Sequence, residues 1–193
     1  MDDLLKARIE KVRLEMQKKK FEALIISDPQ SIWYLTGVWN NPYERFYALY
    51  LDKDGGIKLF ANRLFNVGQP DVEVIWHSDT DDAVKIVASH IAHSGVIGVD
   101  KIFPARFLIP LMISAKGARF AVGSFCVDEV RACKDAREQQ LMKDASRIND
   151  ICIQKGFDFI REGVTERQVA EYIGRCFRAE GAECESFDTI VAF

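Results

Sequence analysis

A chain of 193 residues with 48% apolar residues is long enough to bury a real core, since a domain of this size hides roughly 70% of its unfolded surface. Its 26 Lys and Arg against 29 Asp and Glu give a net charge of −3 with neither sign gathered in a block, which excludes the electrostatic footprint of a nucleic-acid or anionic-membrane binder. No window approaches the ~18 consecutive apolar residues of a membrane span, and the acidic start Asp2-Asp3 lacks the basic region of a signal peptide; the expected location is therefore the cytoplasm. The five cysteines, Cys126, Cys133, Cys152, Cys176 and Cys184, form no Cys-x-x-Cys pair and read as reduced thiols, mostly packed as small hydrophobes.

In chain order, residues 2–20 set Leu5, Ile9, Val12, Leu14 and Met16 at mostly helical spacing among charges. The run Ala23-Leu-Ile-Ile-Ser27 follows, short and apolar, as a buried strand. Asp28-Pro29 is a helix start, an acceptor followed by proline, for a segment reaching Tyr34. Strands are expected at Phe46–Leu51 and Ile57–Ala61, paired antiparallel because Asp52-Lys-Asp-Gly-Gly56 supplies hairpin glycines. Val72–His77 reads as a strand, Asp82–Ala92 as a helix, Val96–Val99 as a strand, Pro104–Ala115 as a helix and Ala118–Val122 as a strand. The expectation is an α/β domain over residues 1–125, a mixed sheet flanked by helices.

Residues 126–193 differ. Leu141, Ala145, Ile148, Cys152 and Phe159 recur at three-to-four spacing on one long amphipathic helix between Asp135 and Arg161. Gly163 breaks it, Thr165-Glu-Arg-Gln168 is a capping box, and Val169, Ile173, Cys176 and Phe177 face the core side of a second helix. Phe187–Phe193 is a strand pattern. Two helices and one strand enclose too little, so this region is expected to be an incomplete α+β domain; the alternative is that its strand joins the edge of the first sheet.

Ala23-Leu-Ile-Ile-Ser-Asp-Pro29 followed by Ser31-Ile-Trp-Tyr-Leu-Thr-Gly37 resembles the N-terminal domain of the creatinase, prolidase and aminopeptidase P family. Gly37-Val-Trp-Asn-Asn-Pro-Tyr-Glu-Arg45 is similar to a loop of bacterial Xaa-Pro dipeptidases, Val130-Arg-Ala-Cys-Lys-Asp135 to the family's interdomain element, and Ser186-Phe-Asp-Thr-Ile-Val-Ala-Phe193 to its early catalytic domain. The resemblance implies a creatinase-type N-terminal domain followed by the truncated start of a "pita-bread" metallopeptidase domain. It also implies two divalent metals, manganese, cobalt or zinc, in the complete enzyme, held by residues beyond the last motif, and hydrolysis of the bond before proline. No metal ligand and no catalytic residue is carried over to this chain. Asp188, Glu183 and Glu185 match no ligand motif. The chain alone is expected to be inactive and without a cofactor; the rival readings are a non-catalytic dimerisation or regulatory module from a truncated gene, or a fragment of aminopeptidase P or a creatinase-like amidinohydrolase.

Other features weigh little. His90 and His93 are three apart on an expected helix with no third ligand nearby, His77 reads as structural, and no glycine-rich phosphate loop or serine elbow occurs. The loop Gly37–Arg45 is the candidate site: Trp39 and Tyr43 offer aromatic surface, Glu44 and Arg45 complementary charge. In similar prolidases, which are homodimers, this loop reaches the partner's active site, so Arg45 is expected to pair with a peptide carboxylate and Glu44 with its ammonium. The competing expectation is a plain surface loop in which Glu44 and Arg45 pair with each other.

Overall fold

The computed structural model describes residues 2–91 and 94–193. Ala92 and His93, and with them the expected end of one helix and one candidate histidine, lie outside the described residues. The chain divides into two compact units, Met1–Cys133 and Lys134–Phe193.

The first unit runs α1 (Asp3–Lys18), β1 (Ala23–Ile26), α2 (Pro29–Thr36), β2 (Ala48–Asp52), β3 (Ile57–Asn62), β4 (Glu73–His77), α3 (Ala83–Ala88), β5 (Gly95–Val99), α4 (Ala105–Ser114), β6 (Ala118–Val122) and α5 (Phe125–Ala132). Its six strands form one mixed sheet in the order β4-β3-β2-β1-β5-β6. β2 pairs antiparallel with both β1 and β3, while β3–β4, β1–β5 and β5–β6 are parallel. The alternation expected of the strand after the loop holds, and it extends one residue pair before β2: Tyr47, Leu49 and Leu51 enter one core, Phe46, Ala48 and Tyr50 the other. The first core is closed by Ile9, Val12 and Met16 of α1, Ile32 and Leu35 of α2 and Cys126, Val127 and Val130 of α5. The second is closed by Val87 of α3 and Leu111 of α4. The mixed sheet between two helical layers is therefore as expected, and Asp28 caps α2 through the amides of Gln30 and Ser31 with Gly37 in the left-handed conformation at its end.

The first compact unit extends beyond residue 125, to Cys133. The reason is the apolar face of α5, which places Cys126, Val127 and Val130 in the first core beside α1; the Cys126 thiol, buried there, has its pKa pushed up to about 12.

The second unit holds α6 (Ala136–Phe159) and α7 (Glu166–Ala179). Each begins with a capping box, Asp135 with Glu138 and Thr165 with Gln168. Gly156 lets α7 approach, since a Cβ there would lie 2.8 Å from the Ile173 side chain, and Phe159 stacks on Tyr172 at 4.3 Å. Two expectations fail here. Leu141, placed on the core stripe, is 60% exposed, because α7 alone cannot cover a helix of 24 residues. Phe187–Phe193 is no strand: among the described residues of this unit there is no other strand whose backbone it can pair with. Phe193 instead donates its amide to the Glu166 carboxylate at 2.9 Å.

Candidate functional site

The loop from Gly37 to Arg45 is anchored at both ends. At its start the Gly37 amide donates to Trp33 O at 2.8 Å, and the Thr36 hydroxyl donates to Ile32 O while accepting from the Val38 amide. At its end Phe46 is buried, with its ring edge-on to Phe107 at 5.1 Å and near Phe103 and His77. Between these anchors the Asn41 side chain accepts from the Tyr43 amide, Tyr43 adopts φ +50, and the Arg45 amide closes a turn onto Pro42 O at 2.9 Å. A non-glycine residue in this left-handed region is uncommon and carries a small cost, which the turn and its anchors sustain. The result presents Trp39 and Tyr43 outward, 55% and 79% exposed.

The charged pair behaves differently. Arg45 forks onto Asp79, Nε to Oδ1 at 3.0 Å and Nη2 to Oδ2 at 3.0 Å, and its Nη1 donates to Glu44 Oε1 at 2.9 Å. Asp79 is itself held by Asn62, whose Nδ2 donates to Oδ1 at 2.7 Å and whose Oδ1 accepts from the Leu64 amide. The Asn62 side chain is buried, so this chain of bonds starts inside β3 and ends on the loop. The Arg45 hydrogen bonds hold the Asp79 carboxyl below its ordinary range, and Asp79 in turn raises the Arg45 guanidinium. Beside the pair lies an open depression of about 440 Å³ bordered by Glu44, Asp79, Asp82 and Arg106.

Of the four loop residues singled out by sequence, the structure thus brings Glu44 and Arg45 together and leaves Trp39 and Tyr43 on the surface. The contact between Glu44 and Arg45 that the competing expectation includes is present, and Arg45 makes its fork onto Asp79 besides. Asp79 and Asn62 were not legible: they lie 34 and 17 positions along the chain from Arg45, with only the acid-rich turn Ser78–Asp82 as a signal. His77 and His90 hold structural contacts. His77 bonds Phe46 O at 3.0 Å, and His90 bonds Ile86 O at 2.8 Å while its ring meets Phe60 edge-on. Among the described residues no three His, Cys, Asp or Glu side chains converge to hold a metal ion, and no helix is long and apolar enough to cross a membrane.

Comparison with known proteins places this geometry. The Creatinase/Prolidase N-terminal domain family matches residues 8–133. The chain belongs to the creatinase/prolidase family. Metallopeptidase family M24 matches residues 140–193, most of the second unit. An uncharacterized peptidase of Staphylococcus aureus is 28% identical over 195 residues, covering 96% of this chain and 54% of the relative. A prolidase from Thermococcus sibiricus is 26% identical with a TM-score of 0.80, over 97% of this chain and 53% of that one. The dipeptidase PepE from Mycobacterium ulcerans, at 24% identity and a TM-score of 0.86, shares the fold over 97% of this chain and 53% of its own. This creatinase/prolidase chain spans about half the length of the curated relatives it matches.

Proposed function

We propose that the chain is the N-terminal half of a metal-dependent Xaa-Pro dipeptidase that cleaves the bond before proline, working in the cytoplasm as a homodimer. The observation that carries this reading is the match of the chain, over nearly its whole length, to about half of a prolidase, with the Creatinase/Prolidase N-terminal domain similarity at residues 8–133 and the M24 similarity beginning at residue 140. In this reading the two divalent metals, manganese, cobalt or zinc, supply Lewis-acid activation of water in the complete enzyme. Among the described residues no three His, Cys, Asp or Glu side chains converge, so the reading places the metal ligands in the rest of the enzyme. The 193 residues alone are read as inactive.

The loop has a second part to play in the same reading. Arg45 is committed to Asp79 and Glu44, so its work is to fix the loop rather than to grip a substrate carboxylate. Trp39 and Tyr43 then form the rigid contact surface offered to the pocket of the partner subunit, aromatic side chains giving large area at low entropic cost.

The test begins with the chain itself: manganese, cobalt or zinc titrated calorimetrically should show no stoichiometric pair of tight sites, and no Xaa-Pro dipeptide should be cleaved. Two micromolar metal sites would overturn the reading. A chimaera joining this chain to the catalytic half of a prolidase should cleave Xaa-Pro dipeptides, with Trp39→Ala and Tyr43→Ala each raising KM by about tenfold. Unchanged kinetics in both variants would reject the role of the loop while leaving the family reading intact.

A further inference from the structure

The sheet changes direction of winding between β1 and β5. These neighbours run parallel, yet the chain leaving β1 enters α2 on the first face and the chain leaving β5 enters α4 on the second. Diverging connections open a crevice beyond the carboxyl ends of the two strands, the usual place for a ligand in an open α/β sheet. A cavity of about 190 Å³ lies there, bounded by residues that follow β1, β5 and β6. That is roughly six times the ~30 Å³ share of one water, space for an apolar group of about six to ten heavy atoms. Leu24, Ile26, Val99 and Val127 line it together with Gly98 and Gly123.

The polar groups of this crevice decide the charge of its ligand. Asp100 is spent on backbone: its Oδ2 accepts from the amides of Ser27 and Asp28 and from the Ser27 hydroxyl, its Oδ1 from the Ile102 amide. Asp28 is spent capping α2 through the amides of Gln30 and Ser31 and the Ser31 hydroxyl. Asp128 accepts from Lys101 Nζ at 2.8 Å in an exposed ion pair. Arg131 is different. Its contacts are long, 3.4 Å from Nη1 to Ser31 Oγ and 3.7 Å to Asp28 Oδ2, with the guanidinium 5.8 Å from the Tyr34 ring centre. Most of its five N–H donors are therefore uncommitted at the mouth of an apolar slot.

We propose that this crevice binds a small free carboxylate with an apolar body, the body seated between Leu24, Ile26, Val99 and Val127 and the carboxylate received by Arg131. The site lies wholly within the first unit and does not depend on the loop Gly37–Arg45 or on peptidase activity. A bidentate guanidinium–carboxylate contact discriminates by charge and by planar shape, so a neutral amide of the same size binds less tightly and an amine, which offers the guanidinium no acceptor, lacks this contact altogether.

The test uses the 193-residue protein, isotopically labelled, and three probes of one shape: 3-phenylpropanoate, 3-phenylpropanamide and 3-phenylpropylamine. The carboxylate should shift the amide signals of Gly98 and Gly123 saturably, the amide should bind about tenfold more weakly, and the amine should give no saturable shift there. Arg131→Gln should erase the difference between carboxylate and amide, and Val127→Phe, which fills the slot, should weaken both. Equal binding of acid and amide, shifts centred away from Gly98 and Gly123, or no saturation below about 10 mM would overturn the proposal. The comparison among the three probes is made on the unmodified protein and stands even where a variant fails to fold.

Discussion

The guanidinium of Arg45 lies against the carboxylate of Asp79 in a two-pronged contact, both prongs at 3.0 Å, and this one pair ties the loop after α2 to the connection between β4 and α3. The pair is partly exposed, so its effect on global stability is modest; its effect on loop order is local. Asp79→Ala should therefore leave the sheet amides protected while the Arg45 amide, bonded to Pro42 O, exchanges faster. The pH dependence has a definite sign. The folded-state pKa of Asp79 is depressed by Arg45, so its contribution is present above the unfolded carboxylate value of about 4 and is lost as pH falls through the lower folded value. Asp79→Asn should flatten the acid limb of the stability curve below about pH 4. An unaltered acid limb together with unaltered exchange at Arg45 would show that the pair does not hold the loop.

Gly98 and Gly123 face each other across the ends of β5 and β6. A Cβ on Gly123 would come within 2.9 Å of Gly98 Cα, and one on Gly98 within 3.2 Å of Gly123 Cα and 2.4 Å of the Leu24 side chain. Backbone cannot yield as a flexible side chain does, so Gly123→Ala must part the strands. The expected cost is about 1–3 kcal/mol, the range of overpacking in a tight core. Gly163, whose φ is +85 with open space around it, gives a contrasting control in which Ala meets conformational strain but no clash. Urea denaturation of the two variants checks the prediction, and a Gly123→Ala protein as stable as its parent would contradict it.

The first unit was readable in the sequence because its elements are short and punctuated. Asp28-Pro29 opens α2, Asp52 to Gly56 closes the β2–β3 hairpin, and the alternation of Tyr47, Leu49 and Leu51 against Phe46, Ala48 and Tyr50 announces a strand with a core on each side. Strand order was not readable, because pairing β1 with β5 joins positions more than 70 residues apart and no local pattern records that. The same distance effect hid Asp79 and Asn62 from the loop they brace. In the second unit, periodicity located α6 and α7 but not what covers them: Leu141 and Ile190 follow a buried pattern and are exposed. A hydrophobic period states which face seeks cover and is silent on whether cover is present. The segment Phe187–Phe193 shows the same limit for strands, whose backbone bonds need a second strand to exist.

Tyr47 gives the last prediction. Its side chain is 2% exposed within the first core, its ring meets Phe65 edge-on at 5.8 Å, and its hydroxyl is buried without a hydrogen-bond partner. A buried polar group left unsatisfied costs about 1–3 kcal/mol, whereas the ring itself contributes fully to the core. Tyr47→Phe keeps the ring and removes the hydroxyl, so the variant should be more stable than the parent by about 1 kcal/mol. Burial also raises the pKa of the phenol, with a definite consequence. Between the unfolded value of about 10 and the higher folded value, the folded chain holds a proton that the unfolded chain has lost, so stability falls as pH rises through that window. The stabilisation by Tyr47→Phe should accordingly grow above about pH 10, because the variant has no phenol to release at this position. Urea denaturation at neutral and alkaline pH measures both effects. A Tyr47→Phe protein less stable than its parent at neutral pH would mean that the hydroxyl is hydrogen-bonded in solution, and a gain that does not change with pH would mean that it ionises as freely in the folded chain as in the unfolded one.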